Sequence, residues 1–230
     1  MGTDRHAEQL MRQVLEQRDA ILSRRSLLGR GAAVGAAGGA LALGLSPALR
    51  SGFAAAAQDA TPEPEDGGFA SDVDVLNYAL TLEHLESAFY RDNGQSYDLG
   101  LDGFGNAIND YVALIAGHEA EHVTTLTSVI ESLGGEPVAE ATYDFGVTDA
   151  ASFLATAAAL ENTGVSAYDG AGQYLENPDL LTAAGTIVAV EARHASYLNL
   201  ITGALPFPAA FEEPKTTDEV LEIAGPLIVS

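Results

Sequence analysis

From residue 72 onward the apolar positions recur at three- and four-residue steps in four long stretches, which predicts helices over roughly 72–92, 105–133, 149–175 and 179–203. The interruptions suit helix ends. Asn93-Gly94 and Gly103 to Gly105 bound a loop after the first helix, Gly134-Gly135 ends the second, and Asn177-Pro178 divides the third from the fourth. Asp149 reads as an N-cap and Pro178 fits a first helical turn. Between the second and third helices, the fourteen residues from Glu136 to Asp149 carry no helical pattern. Fully extended they span about 46 Å, against about 30 Å for a 20-residue helix, so they can run the full height of a bundle. The expected fold is all-α: a four-helix bundle over 72–203, made of two hairpins joined by a long crossover between helices two and three. In the tail over 204–230, Thr216 and Glu219 have the spacing of a capping box and predict a short helix closing one end of the bundle.

Polar residues interrupt the apolar stripes in a repeated way. Helix two carries Ile108, Val112, Ile115, Glu119, His122, Leu126 and Val129 on one line, and helix four carries Leu180, Ala184, Ile187, Glu191, His194, Leu198 and Ile201. Each line thus holds a Glu-x-x-His pair, and residues three apart share a helix face, so carboxylate and imidazole aim at one point. Helix one has Glu83 with Tyr90 seven residues on; helix three has Glu161 with Tyr168 seven residues on. Four carboxylates in a core are costly without counter-charge. Two divalent cations carry +4 and cancel them, and imidazole with carboxylate suits iron and manganese. Glu86 competes with Glu83, since both avoid the polar stripe of Asn77, Thr81, His84, Ala88 and Arg91. The repeat favours Glu83, because Gly164 occupies the position matching Glu86, which leaves Glu86 beside the metal ligands rather than among them. His84 reads as a surface histidine on the polar stripe, and His118, a turn before His122, as a core or rim residue off the ligand line. Tyr90 and Tyr168 read either as core aromatics or as phenols bound to a ligand carboxylate on the facing helix.

The N-terminal residues 1–57 read as an address rather than a fold. Ser23-Arg24-Arg25-Ser26-Leu27-Leu28 precedes a weakly apolar Gly/Ala/Leu run and then Ala54 to Ala57, a pattern similar to a twin-arginine signal peptide with its cleavage site. The expectation is export to the cell envelope or beyond, the protein travelling folded, with an uncleaved anchor as the other outcome. Residues 58–71, rich in proline, glycine and acid, read as a disordered linker. From Gln58 on, three basic residues (Arg91, Arg193, Lys215) face 29 acidic ones, a net charge of −26. That weighs against nucleic acid and anionic membranes as partners and suits a solvated surface at high salt. The chain has no cysteine, so disulfides are excluded and any metal is held by oxygen and nitrogen.

The stretch from Leu76 through Glu83 to Tyr90, Glu119-Ala-Glu-His122, Leu160-Glu161 and Glu191-Ala-Arg-His194 together resemble the ferritin-like superfamily, especially its exported members related to desiccation-related proteins. The resemblance covers 72–203, and the tail through Glu219 to Gly225 is similar to the ending of that family. It implies two iron or manganese ions, with Glu119 and Glu191 bridging, Glu83 and Glu161 as terminal ligands, and His122 and His194 one to each ion. The implied activity is redox chemistry on dioxygen, peroxide or ferrous iron, of ferroxidase, peroxidase or catalase type. The alternative is a metal-binding or stress-protective structural protein without turnover. Metal ions and small oxidants are the expected partners and a homo-oligomer is compatible, although no assembly helix points to an iron-storage shell.

Overall fold

The computed structural model describes residues 69–229. The segment read as a signal peptide and most of the linker lie outside the described residues. Among those described, the architecture is helical throughout: α1 (Asp72–Asn93), α2 (Ile108–Ser132), α3 (Ala150–Gly172), α4 (Pro178–Thr202) and a short α5 (Thr217–Ala224), followed by a 3-10 turn at Gly225–Leu227. None of these helices is long and apolar enough to cross a membrane.

Local chemistry sets the helix ends. The Ser71 hydroxyl accepts from the Asp74 amide at the start of α1, and Asp149 with Ser152 forms a capping box at the start of α3. Asn177 caps α4 with Pro178 in its first turn, where the missing amide of proline loses nothing. α2 begins at Ile108, three residues later than the periodicity predicts. The reason is Asn109, which accepts from the Leu99 amide and donates to the Tyr97 carbonyl, holding the preceding loop out of the helix.

Helices α1 and α2 form one hairpin and α3 and α4 the other, with α1 packed across α3. Asp72 at the head of α1 accepts from the Glu176 and Asn177 amides, at 2.7 and 3.1 Å, so the α3–α4 turn lies at the end where α1 begins. The core is continuous apolar contact interrupted only at mid-height. Phe89 of α1 and Phe153 of α3 stack at 5.0 Å with planes 7° apart, and Leu80, Val112, Ile130 and Leu198 are fully enclosed.

The crossover climbs α1 as an extended chain. Asn77 donates to the Glu136 carbonyl and accepts from the Val138 amide, a ring nitrogen of His84 lies 3.2 Å from the Val138 carbonyl oxygen, and Arg91 pairs with Glu140 at 2.9 Å. Farther up, Phe145 packs edge-on against Phe89. The polar stripe of α1 is therefore the seat of the crossover. Its polar groups satisfy the first part of the crossover, while farther on Asp144 and Thr142 bond the backbone of the tail at Leu227 and Val229; Ala88 is enclosed, and His84 is half-buried rather than a surface residue.

The tail also departs from expectation. The capping box of Thr216 and Glu219 is present, but α5 packs along α3 instead of closing an end. The Lys215 amide donates to the Ser166 carbonyl at 3.0 Å, and the Ser166 hydroxyl donates to Glu212 at 2.8 Å. A Cβ at Gly170 would stand 1.9 Å from the Lys215 carbonyl oxygen, so only glycine admits the strap there. Val220 and Ala224 then enter the cluster around Phe89 and Phe153. This explains why α3 is apolar or small nearly all round, since a helix covered on every side needs no polar face.

Candidate metal centre

The mid-height interruption of the core is a cluster of four glutamates and two histidines. Glu83 comes from α1, Glu119 and His122 from α2, Glu161 from α3, and Glu191 and His194 from α4. All four glutamates are 0% exposed. The i, i+3 spacing on α2 and α4 places each carboxylate beside its imidazole, and the apolar stripe above and below turns both inward.

Two overlapping groups result. Glu83, Glu119, His122 and Glu191 each offer a ligand atom within 4.8 Å of the others, and so do Glu119, Glu161, Glu191 and His194. Glu119 and Glu191 belong to both. His122 Nδ1 lies 3.2 Å from Glu83, 3.3 Å from Glu119 and 2.9 Å from Glu191. His194 Nδ1 lies 3.1 Å from Glu119, 3.1 Å from Glu161 and 3.8 Å from Glu191. Each ring thus turns one nitrogen toward three carboxylates.

The tyrosines link the two hairpins. Tyr90 of α1 donates to Glu161 Oε1 on α3 at 2.6 Å, and Tyr168 of α3 donates to Glu83 Oε1 on α1 at 2.5 Å. Because each helix carries its Tyr seven residues after its Glu, this reciprocal pairing requires α1 and α3 to run antiparallel. Each phenol occupies one oxygen and leaves Oε2 for the centre. The alternative that both tyrosines are plain core aromatics is thereby set aside.

Burial, unpartnered charge and hydrogen bonding divide the titrating groups. Burial opposes charge on His122 and His194, but hydrogen bonds to the surrounding glutamates outweigh it and raise them to about 12 and about 11. Burial likewise pushes Glu119 and Glu191 up, yet the two histidines beside them hold both below the ordinary carboxylate value, Glu191 at about 2. Glu83, pushed up mainly by burial, reaches about 8, and burial lifts Glu161 well above its ordinary value. Despite the close histidines, Glu119 Oε1 and both oxygens of Glu191 are buried without a hydrogen-bond partner. The imidazole nitrogens approach them at ion-pair distance but out of line for a directed bond, so charge rather than hydrogen bonding holds these oxygens.

Glu86 is buried, 3% exposed, but belongs to neither ligand group. Its carboxylate rests against Gly164, where a Cβ would approach Oε1 to 3.1 Å. The glycine that breaks the repeat is what makes room for this fifth acid. Burial, followed by the charges of Glu191, Glu161, Glu119 and Glu83, raises Glu86 well above the ordinary range.

The sequence reading left His118 without a partner. Its ring lies nearly in the plane of the His194 ring, the two planes 7° apart and the centroids 5.1 Å apart, and its Nδ1 lies 2.9 Å from His194 Nε2. The spacing of four residues before His122 was the only signal for it, and the partner lies on another helix.

Residues 71–204 match the family model described as a ferritin-like domain. Among solved structures, the chain is similar to a conserved hypothetical protein from Mycobacterium tuberculosis, at 25% identity, covering 60% of this chain and 94% of that one with a TM-score of 0.49. A search of curated proteins finds no match.

Proposed function

The chain belongs to the ferritin-like domain family, and we propose that its centre holds two divalent transition-metal ions, iron or manganese, and acts on dioxygen, peroxide or ferrous iron as substrate. The observation that carries this reading is the set of three buried carboxylate oxygens, on Glu119 and Glu191, that no hydrogen bond satisfies. A carboxylate oxygen in a core without a hydrogen bond is costly, and these three belong to the two residues common to both ligand groups. The donors are nitrogen and oxygen only, which fits iron and manganese. Glu83 and His122 would hold one ion and Glu161 and His194 the other, with Glu119 and Glu191 shared.

Bound there, such ions supply the electron-transfer steps that side chains cannot. The chain supplies the rest. Its four enclosed glutamates balance the charge of the ions, and Tyr168 and Tyr90 fix Glu83 and Glu161 by one oxygen each. In the metal-free chain burial and four neighbouring acids disfavour charge on Glu86 beside the centre.

Loaded protein should disproportionate peroxide, reduce it with an added donor, or oxidise ferrous iron under air, and Glu119→Ala should lose that activity. A loaded protein inert in all three assays would be a metal-binding or stress-protective protein without turnover. We also propose that it is exported folded through the twin-arginine route, on the strength of Arg24-Arg25 ahead of the apolar run. Replacing both arginines with lysine should leave the precursor inside the cell, and undiminished export would refute this.

A further inference from the structure

The two halves of the centre repeat residue for residue on α2 and α4: Ile115 matches Ile187, Glu119 matches Glu191, His122 matches His194 and Leu126 matches Leu198. The repeat fails at His118, whose matching position on α4 is Val190. His118 is exposed, and its Nδ1 lies 2.9 Å from His194 Nε2, with the ring centroids 5.1 Å apart and the planes within 7°, so the two rings meet edge to edge. The other nitrogen of His194 faces Glu119, Glu161 and Glu191.

A neutral imidazole carries one proton. If Nδ1 of His194 gives its lone pair to a cation, that proton sits on Nε2, where it can be donated to His118 Nδ1. His118 then carries its own proton on Nε2. The pair borders a groove of about 340 Å³ that Tyr111, Arg193 and Tyr197 also line. His122 has no counterpart: among the described residues, all its polar protein contacts run through Nδ1.

We propose that His118 is a positioning residue that makes the two metal positions unequal. By accepting from Nε2–H it fixes the tautomer and ring plane of His194, so the position formed by Glu119, Glu161, Glu191 and His194 binds a divalent cation more tightly than its neighbour. This rests on the metal-binding reading above. Outer-shell partners of ligating histidines are typically worth 10–100-fold in metal affinity.

The test is titration of the metal-free chain with Mn²⁺, followed by equilibrium dialysis and electron paramagnetic resonance. Three proteins are compared: wild type, His118→Phe, which keeps a flat ring without an acceptor, and His118→Asn, which places an acceptor oxygen at the same bond count from the backbone. Wild type should bind two ions in two resolved steps. His118→Phe should weaken the tighter step by about 10–100-fold, leaving the weaker step and the final stoichiometry unchanged, and His118→Asn should recover most of the loss. A wild type with two ions whose Phe variant is unchanged, or weakened equally at both steps, overturns the positioning role alone. So does an Asn variant no better than Phe. A wild type that takes up no metal overturns the reading of the centre itself.

Discussion

Loading the centre with metal must expel protons, and their number follows from the geometry. In the metal-free chain His122 and His194 are raised to about 12 and about 11; burial opposes this, but hydrogen bonds to the glutamates prevail. Both rings are imidazolium at pH 7. A ring cannot give Nδ1 to a cation while a proton occupies it, so two protons leave on that account alone. Glu83, raised to about 8 by burial, holds a third in about nine-tenths of the chains at neutral pH, and burial lifts Glu161 above its ordinary value as well. Uptake of two ions at pH 7 should therefore release about three protons, and the overall binding constant should rise by about that many decades per pH unit. Calorimetric titrations in buffers of different protonation enthalpy measure the release directly. Fewer than two protons would show that the histidines do not ligate through the nitrogens that face the carboxylates.

The same shifts fix how stability depends on pH. Glu83, His122 and His194 bind protons more tightly folded than unfolded. Their contribution is fully present below their ordinary values of 4.5 and 6.5, and is lost as pH rises through about 8 for Glu83 and toward about 11 and 12 for the histidines. Glu119 and Glu191 are lowered, so their contribution is present above 4.5 and is lost as pH falls, toward about 2 for Glu191. The metal-free chain should melt highest on the mildly acid side of neutrality. Chelation should lower the melting temperature more at pH 8 than at pH 6, and an equal or smaller loss at pH 8 would contradict the assigned protonation.

Other perturbations test the packing and the surface. In Gly170→Ala the new Cβ would meet the Lys215 carbonyl at 1.9 Å and force the strap off Ser166; overpacking of this kind costs about 1–3 kcal/mol, roughly 2–12 °C of melting temperature for a chain of this size. An unchanged melting temperature would mean the strap does not lie on α3 in solution. With a net charge of −26 from Gln58 on, the protein should melt higher as salt rises from 10 mM to 1 M, where the screening length shortens from about 30 to about 3 Å, and a flat response would show that self-repulsion is negligible.

The sequence disclosed what repeats locally and hid what depends on distant partners. Glu119 with His122 and Glu191 with His194 were legible because the helical period alone puts each pair on one face. Glu83 was favoured over Glu86 because helix three repeats it with Glu161 and answers Glu86 with Gly164; in the structure Glu83 joins one of the two Glu/His groups and Glu86 joins neither. His84 read as a surface histidine, since an extended crossover has no period that marks its track along the polar stripe. Val220 and Ala224 gave no hint of lying on α3 rather than across an end, because Gly170 and Lys215 are 45 residues apart and neither is unusual alone. His118 was placed off the ligand line correctly, but its bond to His194 joins two helices and cannot be read from either.

The central claim is that six side chains on four helices form one site for two ions. Elemental analysis of the purified chain after reconstitution with iron and, separately, with manganese tests it most directly. Wild type should carry about two ions per chain, Glu83→Ala and Glu119→Ala fewer, and Glu86→Ala still about two. A wild type that stays metal-free with both metals would leave only a bundle with a polar core, and loss of metal in Glu86→Ala but not in Glu83→Ala would contradict the ligand set on α1.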